Sequence, residues 1–229
     1  MTDDIDIFRH PAARRIKLAF DPATGRFRLT VPKRASLAKA RAWVAENIQW
    51  MAEQRAQLPQ ARPFVPGAEL PFGDETLVID WQEGPSRLIR RVDNRLVASG
   101  AEVTLPRRVE AWLRREALRL LEEDTAFYAA RAGVNITRVA IGDPRGRWGS
   151  CSSSGTIRYS WRLVIAPTAV RRATAAHEVA HRIHMNHSAA FHTLVETLYG
   201  SDPTPHRHWL RTNGAALHWY GRSSAGGGG

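Results

Sequence analysis

The feature that most constrains the fold is a histidine cluster at residues 177–187, which read His-Glu-Val-Ala-His-Arg-Ile-His-Met-Asn-His. The surrounding pattern predicts a helix that starts near Pro167 and runs until Asn186 breaks it. His177 and His181 are four residues apart, so they share one helical face, one turn apart. At this spacing two imidazole nitrogens can reach one zinc ion at about 2.0–2.1 Å each. As ordinary core residues these polar groups would be buried without partners, which is unfavourable.

Glu178 directly follows the first histidine, where its carboxylate can reach a metal-bound water and act as a general base. A hydrolytic zinc site needs three protein ligands and one open position. The candidates for the third ligand are His187, His184, His192 and Glu196. His187 is favoured, because a residue beyond the helix approaches the metal from another direction, as tetrahedral geometry requires. His184 could instead be a histidine stabilised by the helix C-terminus. Glu196 could orient a ligand imidazole or be an ordinary surface carboxylate.

Several segments resemble a known family. They are Arg147-Trp-Gly-Ser-Cys-Ser-Ser-Ser-Gly-Thr-Ile157, Trp161-Arg-Leu, His177-Glu-Val-Ala-His181 and Met185-Asn-His-Ser-Ala-Ala-Phe191. Together they are similar to the YgjP-type zinc metallopeptidases, relatives of the SprT and WLM proteases within the zincin group. The similarity extends to residues 209–214 and, more weakly, to residues 14–18 and 31–36.

The resemblance implies a bound zinc ion with Glu178 as the general base. The ligand set that it implies is His177, His181 and His187. Two residues depart from the family pattern, since His192 stands where an aromatic residue such as Trp is usual and Ala189 where Pro is common. Neither is an implied ligand, so we expect them to affect the rim of the pocket and leave its chemistry unchanged.

The resemblance also implies a role for the strand before the active-site helix. Zincin peptidases bind an extended substrate along an exposed sheet edge, and residues 155–163 are expected to supply that edge. Arg158 and Tyr159 are then candidate substrate-binding residues, and Arg162 could also face substrate or pocket. Each of the three could instead be a surface member of an alternating strand.

The hydrophobic patterns predict an α+β protein. Residues 1–104 are expected to be a β-rich region with one helix over about 36–57. Residues 105–222 are expected to form a zincin-like catalytic domain, in which the active-site helix packs on a small antiparallel or mixed sheet. Residues 223–229 are expected to be a flexible glycine-rich tail.

Local patterns also predict the individual elements. The predicted elements are a hairpin over 14–31, strands at 76–79, 87–89, 95–97 and 103–105, a helix over 106–131, strands at 136–141, 148–151 and 156–163, a helix capped by Ser188, and a helix over 205–213. Gly214 is expected to terminate the last helix.

The charge balance is strongly basic, with 33 Lys and Arg against 22 Asp and Glu and a net charge of +11. This favours contact with nucleic acid or another polyanion, although an arginine-rich solvated surface would give the same balance. A single cysteine, Cys151, excludes an internal disulfide bond. No apolar run reaches about 18 residues, so we expect no membrane span. A cytoplasmic monomer is expected.

The sequence therefore predicts a zinc-dependent peptidase that acts on a protein or peptide substrate. One alternative is a different zinc hydrolase, such as an amidase that acts on a non-peptide substrate. A second is a nucleic-acid-associated protein with a structural zinc, whose fourth ligand would come from His184 or His192. Another is a protease acting on DNA-bound proteins, which would connect the histidine motif with the positive charge.

Overall fold

The computed structural model describes residues 5–86 and 88–223, and the chain divides into two compact units, residues 1–60 and 61–229. The predicted tail over 223–229 lies outside the described residues except for its first residue. The elements of the first unit are β1 (Ile5–His10), β2 (Lys17–Asp21), β3 (Arg26–Pro32), α1 (Leu37–Glu46) and α2 (Ile48–Ala56).

The first unit contains a three-stranded sheet with the order β1-β3-β2. The hairpin of β2 and β3 was predicted, whereas β1, which runs parallel to β3, was not. The predicted single helix is instead two helices, separated at Asn47. The Asn47 side-chain amide donates to the Trp43 carbonyl at 2.7 Å, and such side-chain bonds to the backbone compete with helix propagation.

The second unit contains two further sheets and four helices among its described residues. The elements are β4 (Glu69–Phe72), β5 (Glu75–Gln82), β6 (Ile89–Val92), β7 (Arg95–Ser99), α3 (Leu105–Ala132), β8 (Arg138–Gly142), β9 (Gly149–Cys151), β10 (Thr156–Ser160), α4 (Thr168–Ala180), α5 (Ala189–Tyr199) and α6 (Thr204–Leu217). The α+β class is therefore confirmed.

The sheet with the order β4-β5-β7-β6 shares one hydrophobic core with α3, α4 and α5. Leu77 and Leu96 of this sheet belong to the same buried cluster as Leu113 of α3 and Val179 of α4. The predicted boundary after residue 104 thus falls inside the second unit, because apolar residues on both sides of it pack together.

Two predicted strands differ from the structure. The strand expected at 103–105 is a 3₁₀ turn, Glu102–Thr104, followed directly by α3, which carries a proline in its first turn. The strand expected over 156–163 ends at Ser160. The Ser160 hydroxyl accepts a hydrogen bond from the Arg162 amide and caps the 3₁₀ helix Trp161–Ile165.

The small sheet next to the histidine cluster has the order β8-β10-β9. Its central strand, β10, runs parallel to β8 and antiparallel to β9. The prediction that residues 155–163 form an exposed sheet edge is therefore wrong, since β10 is paired with a strand on each side. The edge strand that lies closest to the histidine cluster along the chain is β9.

The active-site helix α4 is shorter than predicted. It ends at Ala180, with His181 as its C-cap, and does not extend to Met185. The amides of Ile183 and His184 both donate to the Ala180 carbonyl, which closes a turn after the helix. This turn separates α4 from His187.

The last helix, α6, is longer than predicted and continues through Gly214 to Leu217. Gly214 is buried, and a Cβ at this position would lie 2.6 Å from Cζ2 of Trp148. The glycine thus permits close packing against an indole ring and does not terminate the helix. Although α3 has 28 residues, no helix among the described residues is long and apolar enough to cross a membrane.

Candidate active site

Three histidines converge at the C-terminal end of α4, since His177 lies in its last turn, His181 is its C-cap and His187 follows the helix. Nε2 of His177 lies 3.2 Å from Nε2 of His187, and one ring nitrogen from each of His177, His181 and His187 lies within 4.8 Å of the others. In a tetrahedral site with metal–nitrogen bonds of about 2.0–2.1 Å, two ligand nitrogens are about 3.3 Å apart. The spacing of His177 and His187 matches this value, so the arrangement suits a metal ion.

The tautomer of His181 is set by a backbone contact. Nδ1 of His181 lies 3.0 Å from the His184 carbonyl oxygen, to which it donates a hydrogen bond, so Nε2 is the nitrogen left to bind a metal. His184 therefore contributes its backbone, and its ring is outside the three-histidine group.

Two other candidate ligands also lie outside the three-histidine group. The exposed ring of His192 stacks 6.3 Å from that of His187. Glu196 is exposed on α5, and among the described residues no hydrogen bond or ion pair joins its carboxylate to a histidine. The role predicted for Glu196, orienting a ligand imidazole, is filled for His181 by the His184 carbonyl.

Phe191 packs against all three histidines. Its ring is fully buried, stacks 4.5 Å from the ring of His181, and meets His177 and His187 edge-on at 4.9 Å each. The Ser188 hydroxyl accepts from the Phe191 amide at 3.4 Å, which confirms the predicted cap of α5. The contact of Phe191 with the three histidines depends on how α5 packs beside α4, which the sequence does not show.

Burial favours the neutral imidazole at His177 and at His181. It lowers the pKa of His177 to about 3, and the charges of His181, His187 and Arg207 act in the same direction. Burial also lowers the pKa of His181. Because a metal binds the neutral form of histidine, this environment favours ligation at neutral pH.

Glu178 points into the protein and is only 5% exposed. Burial raises its pKa to about 7, and the positive charge of Arg147 opposes this rise. The backbone of β9 lies against the carboxylate, because a Cβ on Gly149 would lie 2.6 Å from the Glu178 carboxyl carbon. Sequence reasoning missed this role of Gly149, for which the only signal was a glycine inside a predicted strand.

A cavity of about 350 Å³ opens beside Glu178 and His177. Apolar side chains of α4, α6 and the segment before β9 line its interior, and they are Val170, Ala173, Leu210 and Trp148. Arg147, Arg207 and Arg211 also line it. His181 and His187 do not line the cavity, so it lies on the Glu178 side of the histidine group.

The structure places the predicted substrate-binding residues differently. Tyr159 is fully buried and its hydroxyl lies 2.9 Å from that of Thr125, so the prediction that it contacts substrate is wrong. Arg158 precedes Tyr159 in β10, so it belongs to the opposite face of the strand, and it is exposed. Its contact with substrate stays a prediction.

Arg162 is a structural residue. Its guanidinium forms an ion pair with Asp143 at 2.8 Å and donates to the carbonyls of Leu217 and Tyr220. These contacts connect the start of the 3₁₀ helix with the end of α6 and exclude Arg162 from substrate contact.

Three histidines grouped around one point, beside a buried carboxylate and an open cavity, are the arrangement of a metal-dependent hydrolase site. The sequence profile of the YgjP-like family, metallopeptidase domain, matches residues 14–213. The chain therefore belongs to the YgjP-like metallopeptidase family, which confirms the resemblance found in its sequence. No curated protein and no solved structure gives a significant match.

Proposed function

We propose that the protein is a zinc-dependent peptidase in which Glu178 is the general base. The observation that carries this proposal is the convergence of His177, His181 and His187 on one point, with Glu178 and the cavity beside it. Among the described residues this group has three members, which corresponds to a hydrolytic zinc site with one open position.

The chain's own residues supply the proton transfers. Bound zinc would contribute Lewis acidity and lower the pKa of water. Glu178 takes a proton from the attacking water at a carboxylate oxygen and then delivers it to the nitrogen of the leaving amine. Burial raises the pKa of the Glu178 carboxyl, and a metal ion held by the neighbouring histidines would act in the opposite direction and favour the ionised base.

The substrate chain can be held by β9. This strand is at the edge of its sheet, and Gly149 at its start contacts Glu178. An extended peptide that added to this edge would therefore lie beside the carboxylate. Arg158, exposed and directly opposite Ser150 of β9, is the remaining predicted substrate-binding residue.

The test combines metal content with cleavage of casein by the wild type and by Glu178→Gln. We expect about one zinc per chain in both proteins and cleavage by the wild type only, because the substitution removes the base but no ligand. Loss of zinc from Glu178→Gln would contradict this assignment. A wild type that holds zinc and cleaves no protein or peptide would favour the alternative of a structural zinc.

Nucleic acid is the second proposed partner, on the basis of the net charge of +11. The cleavage assay is therefore run with and without single-stranded DNA at two salt concentrations. Binding that weakens steeply with salt, together with faster cleavage when DNA is present, would favour a protease acting on DNA-bound proteins. Binding that is absent or insensitive to salt would remove nucleic acid as a partner.

A further inference from the structure

The cavity beside Glu178 has a cationic side. Arg207 and Arg211 are four residues apart on α6, so both project from one helical face, with Leu210 beside them. Arg147, from the loop before β9, is the third arginine of the lining, and all three are exposed. An opening with several guanidinium groups attracts anions.

These arginines have no carboxylate partner within ion-pair distance among the described residues. Nη2 of Arg207 lies 3.4 Å from the Thr204 hydroxyl, and Nη2 of Arg211 lies 2.7 Å from Nδ1 of His208. Asp202 acts on Arg207 only from a longer distance. The helix α6 itself contains no acidic residue. Guanidinium groups bind carboxylates through paired hydrogen bonds, and here that capacity is not used within the described part of the chain.

The position of the cavity determines which part of a substrate it would receive. It contacts Glu178 and His177 but neither His181 nor His187. Glu178 delivers its proton to the leaving amine, so the residue that carries this amine lies on the same side as the cavity. That residue follows the scissile bond.

We propose that the cavity binds the residue following the scissile bond and that Arg207 and Arg211 bind a carboxylate of that residue. The inference rests on the proposed peptidase function and adds a substrate class to it. Val170, Ala173 and Leu210 provide apolar contact for methylene groups, while the two arginines pair with the charged end. The carboxylate comes either from an acidic side chain or from the C-terminus of the peptide.

Two sets of quenched fluorescent peptides distinguish these sources. In the first set the residue after the scissile bond is Glu, Gln or Lys within a longer chain with an amidated end. In the second set that residue is the last one, with either a free carboxylate or an amide. Mass spectrometry identifies the bond that is cleaved in each peptide.

We expect the wild type to favour one carboxylate source over its neutral counterpart by about tenfold in kcat/KM, the scale of a charged hydrogen bond. Arg207→Gln and Arg211→Gln should each reduce this preference, and the double variant should abolish it. Arg115→Gln is the matched control, since Arg115 is also an exposed helical arginine but does not line the cavity. It should retain the full preference.

Equal cleavage of charged and neutral peptides by the wild type would overturn this inference and leave the peptidase proposal intact. Absence of cleavage of every peptide and of casein would count against the peptidase proposal itself.

A binding measurement tests the carboxylate preference separately from peptidase activity. Calorimetry compares zinc-loaded Glu178→Gln with the same variant that also carries Arg207→Gln and Arg211→Gln. The first protein should bind the carboxylate peptide more tightly than the neutral peptide, and the second should bind both equally. Equal affinities for charged and neutral peptides would contradict the inference without any reference to activity.

Discussion

At the scale of single residues, the site depends on close contacts that leave little room for change. Glu178 is held between its own helix and the backbone of β9, where Gly149 leaves space for the carboxylate. Phe191 packs against all three histidine rings. The geometry of the candidate site thus depends on Gly149 and Phe191, neither of which has a proposed chemical role.

Replacing Gly149 by Ala should displace the Glu178 carboxylate, since the new methyl group would overlap it. We expect kcat to fall by about 100-fold, the scale associated with a misplacement of roughly 1 Å, while the zinc content stays unchanged. The measurement compares kcat and bound zinc in the variant and the wild type.

The matched control for this substitution is Gly146→Ala. A Cβ at Gly146 meets no atom within 4 Å, so this variant should retain wild-type kcat. An unchanged kcat in Gly149→Ala would mean that Glu178 can move aside without loss and that its position is not restricted by β9.

At the scale of secondary structure, packing reverses some expectations based on local propensity. Helix α6 continues through Gly214, and at this position Trp148 occupies the space that a side chain would need. Trp148 and α6 both line the cavity, so the fit of this glycine to the indole ring also shapes the candidate substrate pocket.

Gly214→Ala should therefore destabilise the protein, although alanine in a helix interior is ordinarily favoured over glycine by about 0.5–1 kcal/mol. Overpacking against Trp148 is expected to cost about 1–3 kcal/mol in the free energy of unfolding. Chemical denaturation measures the difference. In the background Trp148→Phe, whose side chain is smaller, the same substitution should cost less, and an equal cost in both backgrounds would contradict the proposed contact.

At the scale of the whole molecule, the second unit is closed by contacts between residues far apart in the sequence. Arg62 exchanges backbone hydrogen bonds with Trp219 and Gly221, which connects the first residues of the unit with its last described ones. The ion pair of Arg162 and Asp143 holds the same C-terminal segment. The first and last parts of this unit therefore stabilise each other.

Asp143→Asn should lower the free energy of unfolding at neutral pH by about 1–2 kcal/mol, because it removes a charged hydrogen bond to a buried arginine. Burial alone raises the pKa of Asp143, but the hydrogen bonds and charge of Arg162 outweigh it and the pKa is lowered. The contribution of Asp143 to the free energy of unfolding is therefore complete above the pKa of this carboxyl in the unfolded chain. It is lost as the pH falls through the lower pKa in the folded protein.

Denaturation at several pH values tests this prediction. The difference between the wild type and Asp143→Asn should be largest near neutral pH and should shrink under acidic conditions. A difference that did not depend on pH would show that the effect of the substitution is not due to the charge of Asp143.

The sequence by itself determined the family resemblance, the grouping of candidate site residues around one helix and most of the secondary-structure elements. His177 and His181 are four positions apart, so helical geometry alone predicts that their side chains share a face, and Glu178 directly follows the first of them. The hairpin of β2 and β3, the long helix α3 and the Ser188 cap also follow from local periodicity and capping, and the structure confirms them. Such features depend on neighbours close in the chain, which a sequence displays directly.

Only the tertiary structure decided the features that depend on distant parts of the chain. The burial of Tyr159, the central place of β10 and the passage of α6 through Gly214 each result from packing against elements many residues away. The arginines of the cavity come from α6 and from the loop before β9, which periodicity cannot bring together. Hydrophobic burial and steric fit between distant segments are properties of the folded chain, and local patterns do not encode them individually.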